Sequence, residues 1–317
     1  MLALAALAAA PLARGQAGRV RRIGVLLPAR INEGLLKPYR ERLAALGWVE
    51  GRNLAIEVRN AEHRHERAAA LAGELVGLKC EVIVAASTAL ALAAKRAAGD
   101  TPVVFAWVSD PVGSGLVKSL GRPGGNLTGL SNLVFELAPK QLELLKAVAP
   151  RLQRVAVLTD ARFQGTRGPF NEAAARGAAV LGLSLLEVDA GTADGIERAF
   201  AAAVHERATA MIIPPHPLYG EQRSRIARLA LRHRIATAFQ FRSFVAAGGL
   251  VSYGTDLADG FLRTAAYVDK ILRGAKPADL PVEQSDRFEL IVNRKTAREL
   301  GLTIPQSVLL QATEVIE

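Results

Sequence analysis

Few residues in this sequence have the type and spacing that reaction chemistry requires. Of five histidines, His63 and His65 lie in the charged run Glu62-His63-Arg64-His65-Glu66-Arg67, which reads as a solvated face. His205 and His233 close helical stretches, where a cation complements the helix dipole. Only His216, in Pro214-Pro215-His216-Pro217, falls where a strand is expected to end. The single cysteine, Cys80, rules out an internal disulfide and any zinc site built on four cysteines or on two cysteines with two histidines. It precedes the apolar run of residues 82–85 and reads as an inert core residue. There is no P-loop, no H-E-x-x-H and no G-x-S-x-G. The nearest dinucleotide motif, Gly113-Ser114-Gly115-Leu116-Val117-Lys118, has Lys118 where the third glycine belongs. No nucleophile stands beside a base. The expectation is a protein that is not an enzyme and uses no cofactor or metal.

Binding has better candidates. In open parallel sheets, ligands meet the carboxyl ends of strands, where helix N-termini expose unpaired N–H groups. Pro28 and Ala29 follow the first expected strand. Ser87 and Thr88 follow the third and open a helix, so their hydroxyls and the helix amides suit a carboxylate. Ser109 and Asp110 follow the fourth, and Asp110 suits a ligand ammonium. An anion site beside a cation site fits a zwitterion such as an amino acid. The competing explanation is that Ser87, Thr88 and Asp110 are ordinary helix N-caps. In the second half, residues 160–163, His216, Gln240 and Tyr253 stand mostly at strand exits. Phe163, Phe239, Phe241 and Tyr253 either form an apolar slot or fill the core.

These positions need elements to hold them. Short β-branched runs at 22–27, 54–58, 82–86 and 101–106 alternate with Ala/Leu-rich helical stretches at 35–46, 66–76 and 89–98. After the turn signal Arg122-Pro123-Gly124-Gly125-Asn126 the rhythm restarts, with strands at 155–158, 184–188, 210–213 and 235–239 and helices between them. Strands separated by helices of this length give βαβ units and a parallel sheet. A chain of 317 residues exceeds one compact core. The expected fold class is therefore α/β, with two Rossmann-like lobes. The tail, with a helix at 257–272 and a strand at 288–292, does not complete the second series, so the chain is expected to cross between lobes near Gly125, Gly249 and Pro281. The expected lobes are residues 21–127 with 252–280, and 128–251 with 281–317.

Residues 1–12, MLALAALAAAPL, form an apolar stretch with small residues at Gly15 and Ala17. That pattern fits a signal peptide over residues 1–17, although a basic start is missing and a buried helix is the alternative. No cysteine follows the leader to carry a lipid, and no interior run approaches the roughly 18 apolar residues of a membrane span. An exported protein, free in the periplasm, not membrane-anchored and monomeric, is the expectation. The formal charge of +10 invites a nucleic-acid partner, but the basic residues are dispersed among 30 acids with no basic block or zinc-finger spacing. No nucleic-acid partner is expected.

Several segments resemble the substrate-binding proteins of ABC importers, specifically the family that includes tryptophan and tyrosine binders. They are residues 105–117 (FAWVSDPVGSGLV), 122–129 (RPGGNLTG), 248–254 (GGLVSYG), 270–284 (KILRGAKPADLPVEQ), and the closing 293–296 and 300–305. The resemblance implies a type I periplasmic-binding-protein fold with three crossovers. It implies capture of a small molecule, an amino acid or related metabolite, by lobe closure, and delivery to an ABC permease with its ATPase subunits. Carried over, Ser87, Thr88, Ser109 and Asp110 face the ligand from one lobe, and Phe163, His216, Gln240 and Tyr253 from the other lobe or the hinge. The loop at residues 28–33 departs from the Ser/His-containing loop of amino-acid binders. Two other classes use related folds. An effector-binding domain would need a helix-turn-helix before Arg22, and a cytoplasmic Rossmann-like enzyme acting on a small metabolite would need the missing glycine fingerprint.

Overall fold

The computed structural model describes residues 19–28, 33–62, 64–161 and 164–317; the leader of residues 1–17, Ala29 and Phe163 lie outside the described residues. The first half runs β1 (Arg21–Leu27), α1 (Glu33–Ala45), β2 (Leu54–Asn60), α2 (Ala68–Gly77), β3 (Val82–Ala86), α3 (Thr88–Ala97), β4 (Val103–Val108) and β5 (Leu127–Ser131). The second repeats the rhythm with α4 (Ala138–Val148), β6 (Arg154–Thr159), α5 (Gln164–Leu181), β7 (Ser184–Asp189), α6 (Ala193–His205) and β8 (Ala210–Ile212). It continues through α7 (Pro217–Glu221), α8 (Arg223–Arg232), β9 (Ala236–Phe239), α9 (Arg242–Ala246) and β10 (Val251–Thr255). The tail adds α10 (Leu257–Leu272), β11 (Glu283–Gln284), β12 (Phe288–Asn293), α11 (Arg294–Glu299), α12 (Gln306–Leu309) and β13 (Glu314–Ile316).

Two sheets result, ordered β11-β5-β4-β3-β1-β2 and β13-β12-β10-β9-β8-β6-β7. The strands of the first are parallel throughout; in the second only β10 and β12 run antiparallel. Central strands are apolar on both sides because helices cover both faces of each sheet. In β3, Val82, Val84 and Ala86 meet α1 and α10, while Ile83 and Ala85 meet α2 and α3. In the second sheet, Val155 and Val157 of β6 pack towards α4 and α5, and Ala156 and Leu158 towards α6 and α8. Helix α10, although it follows β10, lays Phe261, Ala265 and Val268 on the first sheet. Cys80 is buried in the first lobe, where desolvation and then nearby Glu57 push its thiol up to about 11.

The strand pairings move each crossing a few residues downstream of the boundaries expected from sequence. β5 pairs with β4, so the chain leaves the first sheet after Ser131 rather than at 127. β10 pairs with β9, so the return follows Thr255 rather than 251. β11 pairs with β5, so the last crossing follows Gln284 rather than 280. In each case the glycine- or proline-rich signal marks the turn before a strand, and the strand keeps its main-chain partners before the chain departs. Gly129 makes the first pairing possible. Its φ is +149°, and a Cβ there would overlap the carbonyl oxygen of Phe105.

Strand β13 is the edge strand of the second sheet, held by Arg242 Nε and Nη2 donating to the two Glu314 carboxylate oxygens at 2.6 Å each. That pairing, opposed by burial, lowers the Glu314 carboxyl below its ordinary value of 4.5.

Two outcomes are expected. Gly129→Ala should cost about 3 kcal/mol or more, read as a lower urea midpoint at unchanged slope. Because Glu314 is lowered on folding, its contribution is present above its unfolded value and lost as pH falls through the folded one. Glu314→Gln should therefore lower the melting temperature slightly at neutral pH, and the difference from wild type should vanish in strong acid.

Candidate ligand-binding cleft

All three crossings leave from the carboxyl edge of a sheet. β5 and β11 both end there in the first lobe, as does β10 in the second. Antiparallel β12 begins there, with Phe288 opposite Thr255. The crossings lie side by side: Ser285 N–H donates to Ser131 O at 2.9 Å, and Asp256 N–H to Arg287 O at 3.1 Å. Arg263 of α10 gathers Glu283, Asp286 (2.7 Å) and Asp259 (4.0 Å) at the same place. The two carboxyl edges therefore face one another across a gap, where loops and helix N-termini collect.

In the first lobe, Pro28 is half-buried at the end of β1. Ser87, at φ +150°, caps α3: its Oγ accepts from Leu90 N–H at 3.3 Å, and Thr88 is the first helical residue. Asp110 Oδ1 accepts from Gly113 N–H at 2.7 Å, which folds the carboxylate back on its own loop. Both groups thus do the capping work that their types favour. Ser109 O accepts from Ser131 Oγ at 3.4 Å, joining the loop after β4 to the first crossing. Just before it, Trp107 adopts φ +58° and its indole N–H donates to Leu257 O at 2.7 Å.

In the second lobe, His216 follows β8 and its Nε2 lies 3.6 Å from Asp160 Oδ2, at the end of β6. Both are largely buried, and the imidazole packs on the Tyr219 ring at 4.5 Å. β6 and β8 are the strands between which the sheet order reverses, the usual place for a ligand crevice. Gln240 is buried, whereas Tyr253 is only partly buried. Gln240 Nε2 donates to Gln141 Oε1 at 3.5 Å, and Tyr253 stacks on Phe288 with centroids 5.8 Å apart.

One cavity, of 340 Å³, spans the lobes. Ser109, Asp110 and Gln284 line it from the first, and Glu172, Ala173 and Arg176 of α5 from the second. Of the positions expected from sequence, it brings together Ser109 and Asp110. Ser87, Thr88, His216, Gln240 and Tyr253 do not line it. A larger hollow of 730 Å³ lies at the opposite edge of the second sheet, between Thr209, Ala236 and residues 300–305, away from the strand ends.

Residues 30–316 match the family model of the ABC transporter substrate binding protein. The chain belongs to that family. It is 25% identical over 276 residues to the tyrosine-binding protein of Clostridioides difficile, covering 86% of this chain and 77% of that protein. It superposes with TM-score 0.83 and 28% identity on an ABC domain in complex with L-tryptophan from Streptococcus pneumoniae, covering 93% of this chain and 99% of the other. At 16% identity the leucine-binding protein of Thermotoga maritima shares the fold, with TM-score 0.56 over 82% of this chain and 78% of that one. The architecture is that of type I periplasmic binding proteins, and the substrate-binding protein serves solute capture for an ABC importer. Its family binds substrates rather than converting them. Among the described residues no helix is long and apolar enough to cross a membrane.

Sequence reasoning missed three polar residues of this substrate-binding protein. Gln141, fully buried on α4, donates Nε2–H to Phe239 O at 3.0 Å and to Tyr253 O at 3.1 Å. It thereby satisfies β9 and β10 where they part. A Cβ on Gly254 would overlap Gln240 O, so glycine is needed beside the same junction. Asn132 and Thr255 stand at two crossings, both buried, and Asn132 Oδ1 and Thr255 Oγ1 have no hydrogen-bond partner among the described residues. For the last two the available signal was position: Asn132 follows, and Thr255 ends, a glycine-containing strand where the chain changes lobes.

Gln141→Leu should leave two buried carbonyls short of a donor and cost about 2 kcal/mol in thermal unfolding. Lys140→Ala, one residue away and half-exposed, should be nearly neutral.

Proposed function

We propose that this substrate-binding protein captures a zwitterionic amino acid between its lobes and releases it unchanged to an ABC permease driven by ATPase subunits. It works as a monomer in the periplasm, after removal of residues 1–17. The names of the two relatives support the amino-acid class: one is a tyrosine-binding protein and the other holds L-tryptophan.

The observation that carries this proposal is the interlobe cavity in which Ser109 and Asp110 oppose α5 across three adjacent crossings. Solute enters between open lobes, and contacts made only in the closed form shift the equilibrium towards closure. On the first lobe, Ser109 and the amides at the start of α3 suit a carboxylate, and the free side of the Asp110 loop suits an ammonium. On the second, the His216–Asp160 pair offers a buried polar contact for the side-chain end. Asn132 Oδ1 and Thr255 Oγ1, buried at the crossings, are acceptors that a solute N–H satisfies on closure.

Native mass spectrometry of the purified protein should show a co-purified amino acid. Small-angle scattering should show compaction on adding L-tyrosine or L-tryptophan. Ser109→Ala and Asn132→Ala should each weaken binding about tenfold without altering the melting temperature of solute-free protein. A tightly bound amino acid that leaves the scattering profile unchanged would overturn closure. Failure to bind any of the common amino acids would overturn the ligand class.

A further inference from the structure

Regular alternation along β4 carries Val103 and Phe105 to the face covered by α2 and α3, and Val104 and Ala106 to the face covered by α1 and α10. Trp107 should next return to the first face. It does not: Trp107 packs with Ala106 on the α10 side, and Val108 takes the position under α3. The register agrees. Phe105 pairs with Gly129 and Val108 with Ser131, so three steps on β4 oppose two on β5. One extra residue has been inserted, a β-bulge.

The extra residue carries a cost. Trp107 lies at φ +58°, a conformation that a bulky side chain adopts only when its surroundings over-determine it. Those surroundings are specific. The indole N–H donates to Leu257 O at 2.7 Å, and the ring packs on Phe261 at 5.6 Å, itself packed on Tyr39 at 4.8 Å. Leu257 opens α10, immediately after the crossing at Thr255 and Asp256. Two residues beyond the bulge in the other direction are Ser109 and Asp110, on the wall of the interlobe cavity.

We infer that Trp107 is a positioning residue: its indole ties the take-off of the ligand loop to the point where the second crossing joins the first lobe, so that loop and hinge are held as one unit. The role for the ligand rests on the reading that Ser109 and Asp110 face solute; the mechanical tie does not.

Hydrogen exchange on the solute-free protein tests it. Trp107→Phe keeps an aromatic ring on Phe261 but loses the donor to Leu257 O. Amides of residues 109–115 and of the first turn of α10 should then exchange about tenfold faster, together, while β1 and β3 keep their protection. Trp48→Phe is the matched control, because the Trp48 indole N–H donates to Asp269 Oδ1 at 2.8 Å on the far part of the same helix. It should speed exchange near residues 47–53 and the end of α10 and leave 109–115 unchanged. Unaltered exchange at 109–115 in Trp107→Phe would overturn the inference. So would a rise spread evenly over the first lobe, which marks a merely structural tryptophan. Since no solute is present, failure here is distinct from failure of L-tyrosine and L-tryptophan to bind.

Discussion

Every connection between the lobes of this protein leaves from the carboxyl edge of a parallel sheet, and the rest of the structure follows from that constraint. A parallel strand can only be followed by a long return, so its end is a natural place for the chain to depart elsewhere. When β5, β10 and β11 all depart from that edge, the two edges are obliged to face each other. The cleft is thus a by-product of connectivity. Side chains decorate it, but the arrangement of crossings creates it.

The polar groups near that edge divide into those the protein uses and those it leaves over. Ser87 and Asp110 spend hydrogen-bonding capacity on Leu90 and Gly113, and Gln141 spends its amide on two carbonyls. These bonds hold loops and strand ends in place before solute arrives, which reduces the ordering cost of binding. Asn132 and Thr255, both on crossings, are among the groups left over. Charge follows the same division. Arg263 is buried enough to lower its own proton affinity, yet the carboxylates of Glu283, Asp286 and Asp259 outweigh that and keep it a firm cation at the crossings.

Much of the framework was legible in sequence, for physical reasons. β3 at 82–86 and α10 at 257–272 fall where the periodicity places them, because a continuous apolar run and a long amphipathic pattern have few competing structures. β5 and β10 were not read as strands. Each is five residues long and contains a glycine, and that glycine is there for close backbone approach, which propensity scores as weakness. The lobe boundaries were displaced by the same omission. Of the candidate site, Ser109 and Asp110 line the interlobe cavity, and the capping alternative for Ser87 and Asp110 describes the bonds they make. Gln141 was invisible because a glutamine on a helix ordinarily marks the solvated side. The bulge at Trp107 was hidden too, since FAWV reads as plain alternation until the partner strand is known.

The late strands have a consequence for how this chain comes into being. β11 completes the first sheet and β12 with β13 completes the second, so residues 283–317 finish both halves at once. Neither half is a contiguous stretch that a ribosome could release and let fold as an independent piece. Any nascent fragment ending before residue 283 leaves two unfinished sheet edges, each a template for wrong pairing. Cooperative assembly of both sheets therefore waits for residues 283–317, and the long-range contacts that unite them slow that assembly.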